Sequence, residues 1–160
     1  LILPAGAIVG FLMYNLGIFG DQRNVFLGDN GSQALGFLCL WILVYFSQFD
    51  SYGFSPVTAL WLVAILFMDA VRVLSTRIIS GLRGTNIFKA KRDHIHHKLQ
   101  DYGFSNELVY SVLILSAGSL SALGIFLNRI FLESHYYSFY IFLVLWICFH
   151  LIVNKIPKNV

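Results

Sequence analysis

Hydrophobic positions in this chain come in long unbroken blocks rather than in alternation. Five such blocks run from about 1 to 14, 32 to 49, 56 to 74, 107 to 127 and 136 to 153. A helix needs about 20 mainly apolar residues to cross the hydrocarbon core of a bilayer, and each block reaches or approaches that length. Lipid offers no partner to an unpaired backbone group, so spans of this kind are helical. The pattern predicts an all-α fold, a polytopic transmembrane helical bundle of about five spans, as a single membrane domain over residues 1–160. Short connections fall at 50–55 and 128–135, and a long polar stretch at 75–106.

Composition agrees with the pattern. Of the 160 residues 58% are hydrophobic and 12% charged, with a mean hydropathy of +0.73. A soluble domain carries about twice that charge. The chain opens on "LILPAGAIVG", with no basic segment ahead of the apolar run, so it does not read as a signal peptide. It is expected to be a piece of a longer chain. Cys39 and Cys148 both sit in apolar blocks, where a thiol acts as a small hydrophobe.

Charge then orients the spans. If they alternate, Arg23, Arg72, Arg77, Arg83, Lys89, Lys91, Arg92, Lys98, Lys155 and Lys158 share one side of the membrane, and Arg129 alone falls on the other. Lys and Arg concentrate on the cytoplasmic side, so "GDNGS" (28–32) and the 75–106 stretch are both expected to be cytoplasmic. Tyr136, Tyr137 and Tyr140 fall where an interfacial aromatic belt forms.

Few polar groups are left to carry chemistry. Asp29 sits in "VFLGDNGS", where Gly28 and Gly31 permit tight backbone and Asn30 or Ser32 can cap the helix that follows. Beside that structural role stands a functional one. A helix N-terminus attracts phosphate, and an aspartate can hold a Mg²⁺ that the phosphate shares. Asp69, inside the third block, needs a partner in the membrane, and Arg72 one turn on can supply it. The loop "GLRGTNIFKAKRDHIHHKLQDYGFSN" (81–106) gathers His94, His96 and His97 beside Arg92. Lipid headgroups account for its lysines, but neutral imidazoles gain little from headgroups. A zinc site would need a Cys or carboxylate at defined spacing. On a helix His94 and His97 share a face, with Asp93 and Asp101 flanking His97 and able to orient its ring. His150 is expected to be a packed, hydrogen-bonded core residue and His135 a solvated one. No GxxxxGK[ST], CxxC, GxSxG or internal repeat occurs, and the aromatic content suits span packing better than a platform for nucleic-acid bases.

Taken together and in order, "NLGIFGDQRNVFLGDNGS", "MDAVRVLSTRIISG" and "FKAKRDHIHHKLQDYGFS" resemble the polytopic phosphoglycosyltransferases, that is, the polyprenyl-phosphate N-acetylglucosamine-1-phosphate transferases and phospho-N-acetylmuramoyl-pentapeptide transferase. The similarity runs from about Leu12 to Phe104, and the last two spans match in hydropathy only. It implies the C-terminal half of a multi-pass plasma-membrane enzyme with cytoplasmic active-site loops. Such an enzyme moves a sugar-1-phosphate from a UDP-sugar to a polyprenyl phosphate and releases UMP, the first membrane step of cell-envelope glycan synthesis.

Carried over by position, the resemblance makes Asp29 a ligand of the Mg²⁺ cofactor, with Mn²⁺ as its substitute. Phe26, Gly28 and Ser32 surround the uridine and diphosphate, and Asn15 contacts uracil. His94, His96 and His97 form the histidine signature, the last two reaching the nucleotide-sugar as catalytic groups, with Arg92 just before them. "HIHH" looks like the N-acetylhexosamine branch, so the expected partners are a UDP-N-acetylsugar, UDP-GlcNAc first, and the lipid acceptor, with no nucleic acid; a homodimer is left open. Two departures stand out. "FKAKR" puts Lys91 where the family has an acid, and no D-D-x-x-D occurs in the 160 residues. Two other classes remain open: a non-catalytic membrane module of the same family, and a histidine-based metal-binding membrane protein.

Overall fold

The computed structural model describes residues 2–15, 18, 27–48, 55–84, 93–131 and 134–156, and every regular element among them is helical. In order these are α1 (Ile2–Asn15), α2 (Gly28–Ser47), α3 (Pro56–Leu62), α4 (Ala64–Leu82), α5 (Ile95–Asp101), α6 (Asn106–Ile130) and α7 (Tyr136–Lys155). The chain divides into two compact units, Leu1–Ile42 and Leu43–Val160.

In the first unit, α2 begins at Gly28, whose φ of 66° belongs to the left-handed region that glycine enters without strain. The helix therefore starts four residues before the expected 32, and "GDNGS" forms its first turn. This corrects the expected cap. The Ser32 hydroxyl donates to the carbonyls of Gly28 (3.1 Å) and Asp29 (3.0 Å) rather than accepting from a backbone N–H. A serine inside a first turn turns back onto the carbonyls three and four residues before it. Leu27 folds over Gly31, where an added Cβ would stand 2.9 Å from the leucine side chain. None of α2 is buried, and its apolar side chains, Phe37, Leu40, Trp41 and Val44 among them, face outward. That surface suits hydrocarbon rather than water.

The second unit packs α3, α4, α5, α6 and α7 together. The block expected as one span at 56–74 is two helices, bent by 81° at Val63. Ser55 starts α3, its hydroxyl accepting from Thr58 N–H at 3.2 Å, with Pro56 at the first helical position, where a missing N–H costs nothing. The bend drives Trp61 fully inside, against Ala64, Met68, Leu127 and Phe142. Its ring meets Phe142 edge-on at 5.3 Å, and Nε1 donates to the Ser138 hydroxyl at 3.0 Å. Beside it the Thr58 hydroxyl donates to Asn128 Oδ1 at 2.9 Å. Gly124 makes the close approach of α3 to α6 feasible, because a Cβ there would stand 2.1 Å from that of Trp61.

Among the described residues, α2, α6 and α7 are long and apolar enough to cross a membrane, and the bent α3–α4 pair makes a fourth span if counted as one. The fifth expected span is α1, which at 14 residues is shorter than the roughly 20 a crossing needs. The polar stretch also opens later than residue 75, since α4 continues to Leu82. Two histidine expectations change. Nδ1 of His150 is buried with no hydrogen-bond partner, and His135 is half-buried with its Nδ1 also shielded and unpartnered, rather than solvated.

Candidate functional site

The histidine motif is built on Asp69 and Arg72, both deep in the second unit, at 7% and 1% exposure. They pair on α4 as expected, with Arg72 Nη2 at 2.7 Å and Nε at 3.2 Å from Asp69 Oδ1. The pair does more than neutralise itself. Arg72 Nη2 also donates to the carbonyl of Asp93, and Nη1 reaches Asn154 Oδ1 near the end of α7 at 3.5 Å. Asp69 Oδ1 accepts the Ile95 N–H at 3.1 Å, and its Oδ2 lies 2.9 Å from His94 Nδ1.

These bonds seat α5, which has seven residues and no side-chain cap of its own. A helix that short is unstable alone, so its neighbours must hold it. Asp69 and Arg72 fix its start. At its first full turn the buried Lys98 donates to the Val153 carbonyl of α7 at 2.7 Å. That carbonyl lies in the last turn of α7, where no intrahelical donor is left. The stem of Lys98 thus packs inside while its charge meets a helix C-terminus.

On this platform the three histidine rings lie together. His94 and His96 stack at 5.8 Å between centroids, nearly parallel at 12°, and His96 and His97 lie 4.1 Å apart. The side chain of His94 is 46% exposed. His97 Nδ1 is 3.3 Å from Gln100 Oε1. The expected flanking of His97 arises only on the Asp101 side, one turn on at the end of α5, because α5 begins at Ile95 and Asp93 lies before it. The Asp93 carboxylate faces Arg77 at 4.0 Å instead. Asp93 also borders a cavity of about 220 Å³ with Arg72, Thr76, Arg77, Ser80, Lys98 and Asn154.

In the first unit Asp29 is exposed in the first turn of α2, beside backbone N–H groups that no helical carbonyl reaches. A carboxylate there is favoured by the helix dipole. Mg²⁺ is commonly held by one or two carboxylates together with substrate phosphates, and Asp29 fits as one such ligand. Among the described residues no group of three or more His, Cys, Asp or Glu can hold a metal ion. Asn15, the last residue of α1, is exposed and donates its side-chain amide to the Phe11 carbonyl at 3.0 Å. Gly28 and Ser32 lie in the first turn of α2. Phe26 and Arg92 lie outside the described residues. Asp29 and the histidines belong to separate units, each described by itself.

Sequence reasoning found the histidines and the Asp69–Arg72 pair but missed that the pair holds the histidine helix, and missed Lys98 as its second anchor. A carboxylate 25 residues before His94 carries no local spacing signal. Only its cost inside a membrane marked it.

The chain is 36% identical over 153 residues to a protein of Escherichia coli O157:H7 named undecaprenyl-phosphate alpha-N-acetylglucosaminyl 1-phosphate transferase, a match covering 96% of this chain and 40% of that protein. It is 36% identical over 141 residues to the protein of the same name from Escherichia coli (strain K12), covering 88% and 36%. It is 31% identical over 150 residues to that of Pasteurella multocida (strain Pm70), covering 93% and 41%. The chain spans about two-fifths of the length of these curated relatives. No family model and no solved structure matches it.

Proposed function

We propose that this chain belongs to the polytopic phosphoglycosyltransferase family, as its 31–36% identity to the curated relatives supports, and that it forms part of an enzyme transferring GlcNAc-1-phosphate from UDP-GlcNAc to a membrane polyprenyl phosphate. An oxygen of the lipid phosphate attacks the β-phosphorus, the bond from that phosphorus to the bridging oxygen breaks, and UMP leaves with the bridging oxygen. The lipid diphosphate-sugar stays in the membrane. The relatives' shared name gives both the lipid and the sugar phosphate. The UDP carrier, the plasma-membrane location and the cytoplasmic placement of the site belong to the proposal, the last supported by the side on which ten of the eleven Lys and Arg fall.

The observation that carries the proposal is the seating of α5. A histidine cluster on an exposed lipid-binding loop would have no need of two buried cations and a buried carboxylate to fix its backbone, yet Asp69, Arg72 and Lys98 do that here. Positioned donors are what phosphoryl transfer requires, since its transition state is stabilised by placement and charge. His96 and His97 are assigned to the diphosphate and the charge that builds on it, with Arg92 beside them. Asn15, Phe26, Gly28 and Ser32 are assigned to the nucleotide, and Asp29 is the residue that would hold Mg²⁺. The ion, when bound, neutralises diphosphate charge; Mn²⁺ is the expected substitute.

The test uses the full-length protein in nanodiscs with UDP-GlcNAc and undecaprenyl phosphate. Asp29→Asn is expected to abolish metal-dependent UMP release, and His96→Ala and His97→Ala are each expected to lower turnover by about 10²-fold or more. UMP release at the wild-type rate in all three would refute these residue roles, and no UMP release by the wild type would return the chain to a non-catalytic membrane module.

A further inference from the structure

We propose that Asp69 is a positioning residue for this transfer: from a membrane helix it caps α5 and fixes the His94 ring by Nδ1, so that Nε2 stands outward as a hydrogen-bond acceptor for a hydroxyl of the sugar nucleotide. The inference rests on the proposed function for its substrate, but its geometry is independent of it.

The carboxylate divides its two oxygens. Oδ1 takes Arg72 and the Ile95 N–H, and Oδ2 meets His94 at 2.9 Å. A salt bridge whose only task was to neutralise Arg72 would need neither of the contacts to the histidine segment. An ionised carboxylate can only accept, so Nδ1 of His94 carries the proton in that bond. In the neutral form of that ring the lone pair lies on Nε2, and 46% of the side chain is exposed. A histidine held at one nitrogen by a carboxylate has both its tautomer and its ring plane set.

The arrangement resists drift at each end. Ile95 N–H is one of the donors at the start of α5 that the helix itself leaves unmet, and Asp69 satisfies it from another helix. Arg72 holds the Asp93 carbonyl just before, and Lys98 ties the same short helix to α7. His94 is the hinge of this assembly, since its backbone is extended (φ −65°, ψ 152°) while the next residue is helical. Without Asp69 the ring would keep its stacking on His96 but lose the bond that fixes Nδ1.

The experiment is a double-mutant cycle on the full-length protein in nanodiscs, with a tautomer measurement beside it. An asparagine at 69 can donate where the aspartate accepts. Asp69→Asn is therefore expected to lower kcat by about 10–100-fold with little change in KM for UDP-GlcNAc, and Asp69→Glu to recover part of the loss. In a His94→Ala background Asp69→Asn should add less than about twofold, because residues acting as one unit are not additive. ¹⁵N spectra of histidine-labelled protein, assigned through His94→Gln, should show the proton of His94 on Nδ1 in the wild type and on Nε2 in Asp69→Asn. An equal loss from Asp69→Asn with and without His94, or a wild-type His94 protonated on Nε2, would overturn the proposal. If the wild type releases no UMP, the proposed function fails, and the tautomer spectrum alone still decides whether Asp69 sets the ring.

Discussion

The bent α3–α4 pair and its contact with α6 lead to a sharp test, because two glycines on the same helix face opposite circumstances. A Cβ at Gly124 would stand 2.1 Å from Trp61 Cβ and 2.4 Å from its Cγ, whereas a Cβ at Gly118 meets nothing within 4 Å. Both atoms crowded at Gly124 lie at or next to the backbone of α3, so no rotamer change relieves the clash. To reach ordinary contact α3 must back away by about 1.3 Å. That motion stretches the Thr58–Asn128 and Trp61–Ser138 hydrogen bonds from 2.9 and 3.0 Å and opens a gap beside Phe142. Overpacking of a filled core costs about 1–3 kcal/mol, and each interhelical hydrogen bond lost in a membrane adds about 0.6 kcal/mol. Gly124→Ala is thus expected to destabilise by about 1–3 kcal/mol, once the roughly 1 kcal/mol that alanine gains over glycine in a helix is set against these losses. Gly118→Ala should keep that gain. Unfolding of both variants in the same detergent, followed by tryptophan fluorescence and near-UV dichroism, compares them directly. Equal stabilities would refute the packing of Trp61 against α6.

Other consequences follow from particular contacts. Lys98→Met keeps the buried stem but leaves the Val153 carbonyl without its donor, a loss of about 1.5–3 kcal/mol that should appear as faster amide exchange over residues 95–101 with α6 unaffected. Trp61→Phe removes the donor to Ser138 and should cost about 0.5–1.5 kcal/mol in thermal unfolding. For sidedness, cysteines placed at Gly84 and Ser134, in a background with Cys39 and Cys148 replaced by serine, should react with a membrane-impermeant maleimide from opposite faces. Gly84→Cys should react only in inside-out vesicles; the opposite pattern would reverse the charge-based orientation, and labelling of both from one face would refute the alternation of spans.

Long apolar blocks were legible because lipid imposes one solution on the backbone, and α2, α6 and α7 fall where hydropathy puts them. The break at Val63 was not, since "PVTALWLVAILFMD" is apolar except for Thr58 and Asp69 and lacks an internal proline or glycine. What bends it is tertiary: Trp61 enters a slot that Gly124, more than sixty residues on, leaves open. The start of α2 was misplaced for a local reason, as Gly28 accepts a positive φ and lets the polar turn join the helix. For the site, spacing within "HIHH" and the resemblance found the histidines and Asp29. Their support was hidden, because Asp69, Arg72, Lys98 and Val153 meet across three helices. Lys98 in particular reads as one more basic loop residue until its Nζ is found under α7. Burial of a charge, rather than its presence, separates a support from a solvated lysine.

The proposed function of these residues is transfer of a sugar phosphate to a membrane lipid. It is tested most directly by incubating the full-length protein, in undecaprenyl phosphate nanodiscs with Mg²⁺, with UDP-GlcNAc labelled in the sugar and in the β-phosphate. Both labels should move together into the lipid fraction with one UMP formed per transfer, and Asp29→Asn should block this. Sugar label entering the lipid without the β-phosphate, or no transfer by the wild type, would contradict it.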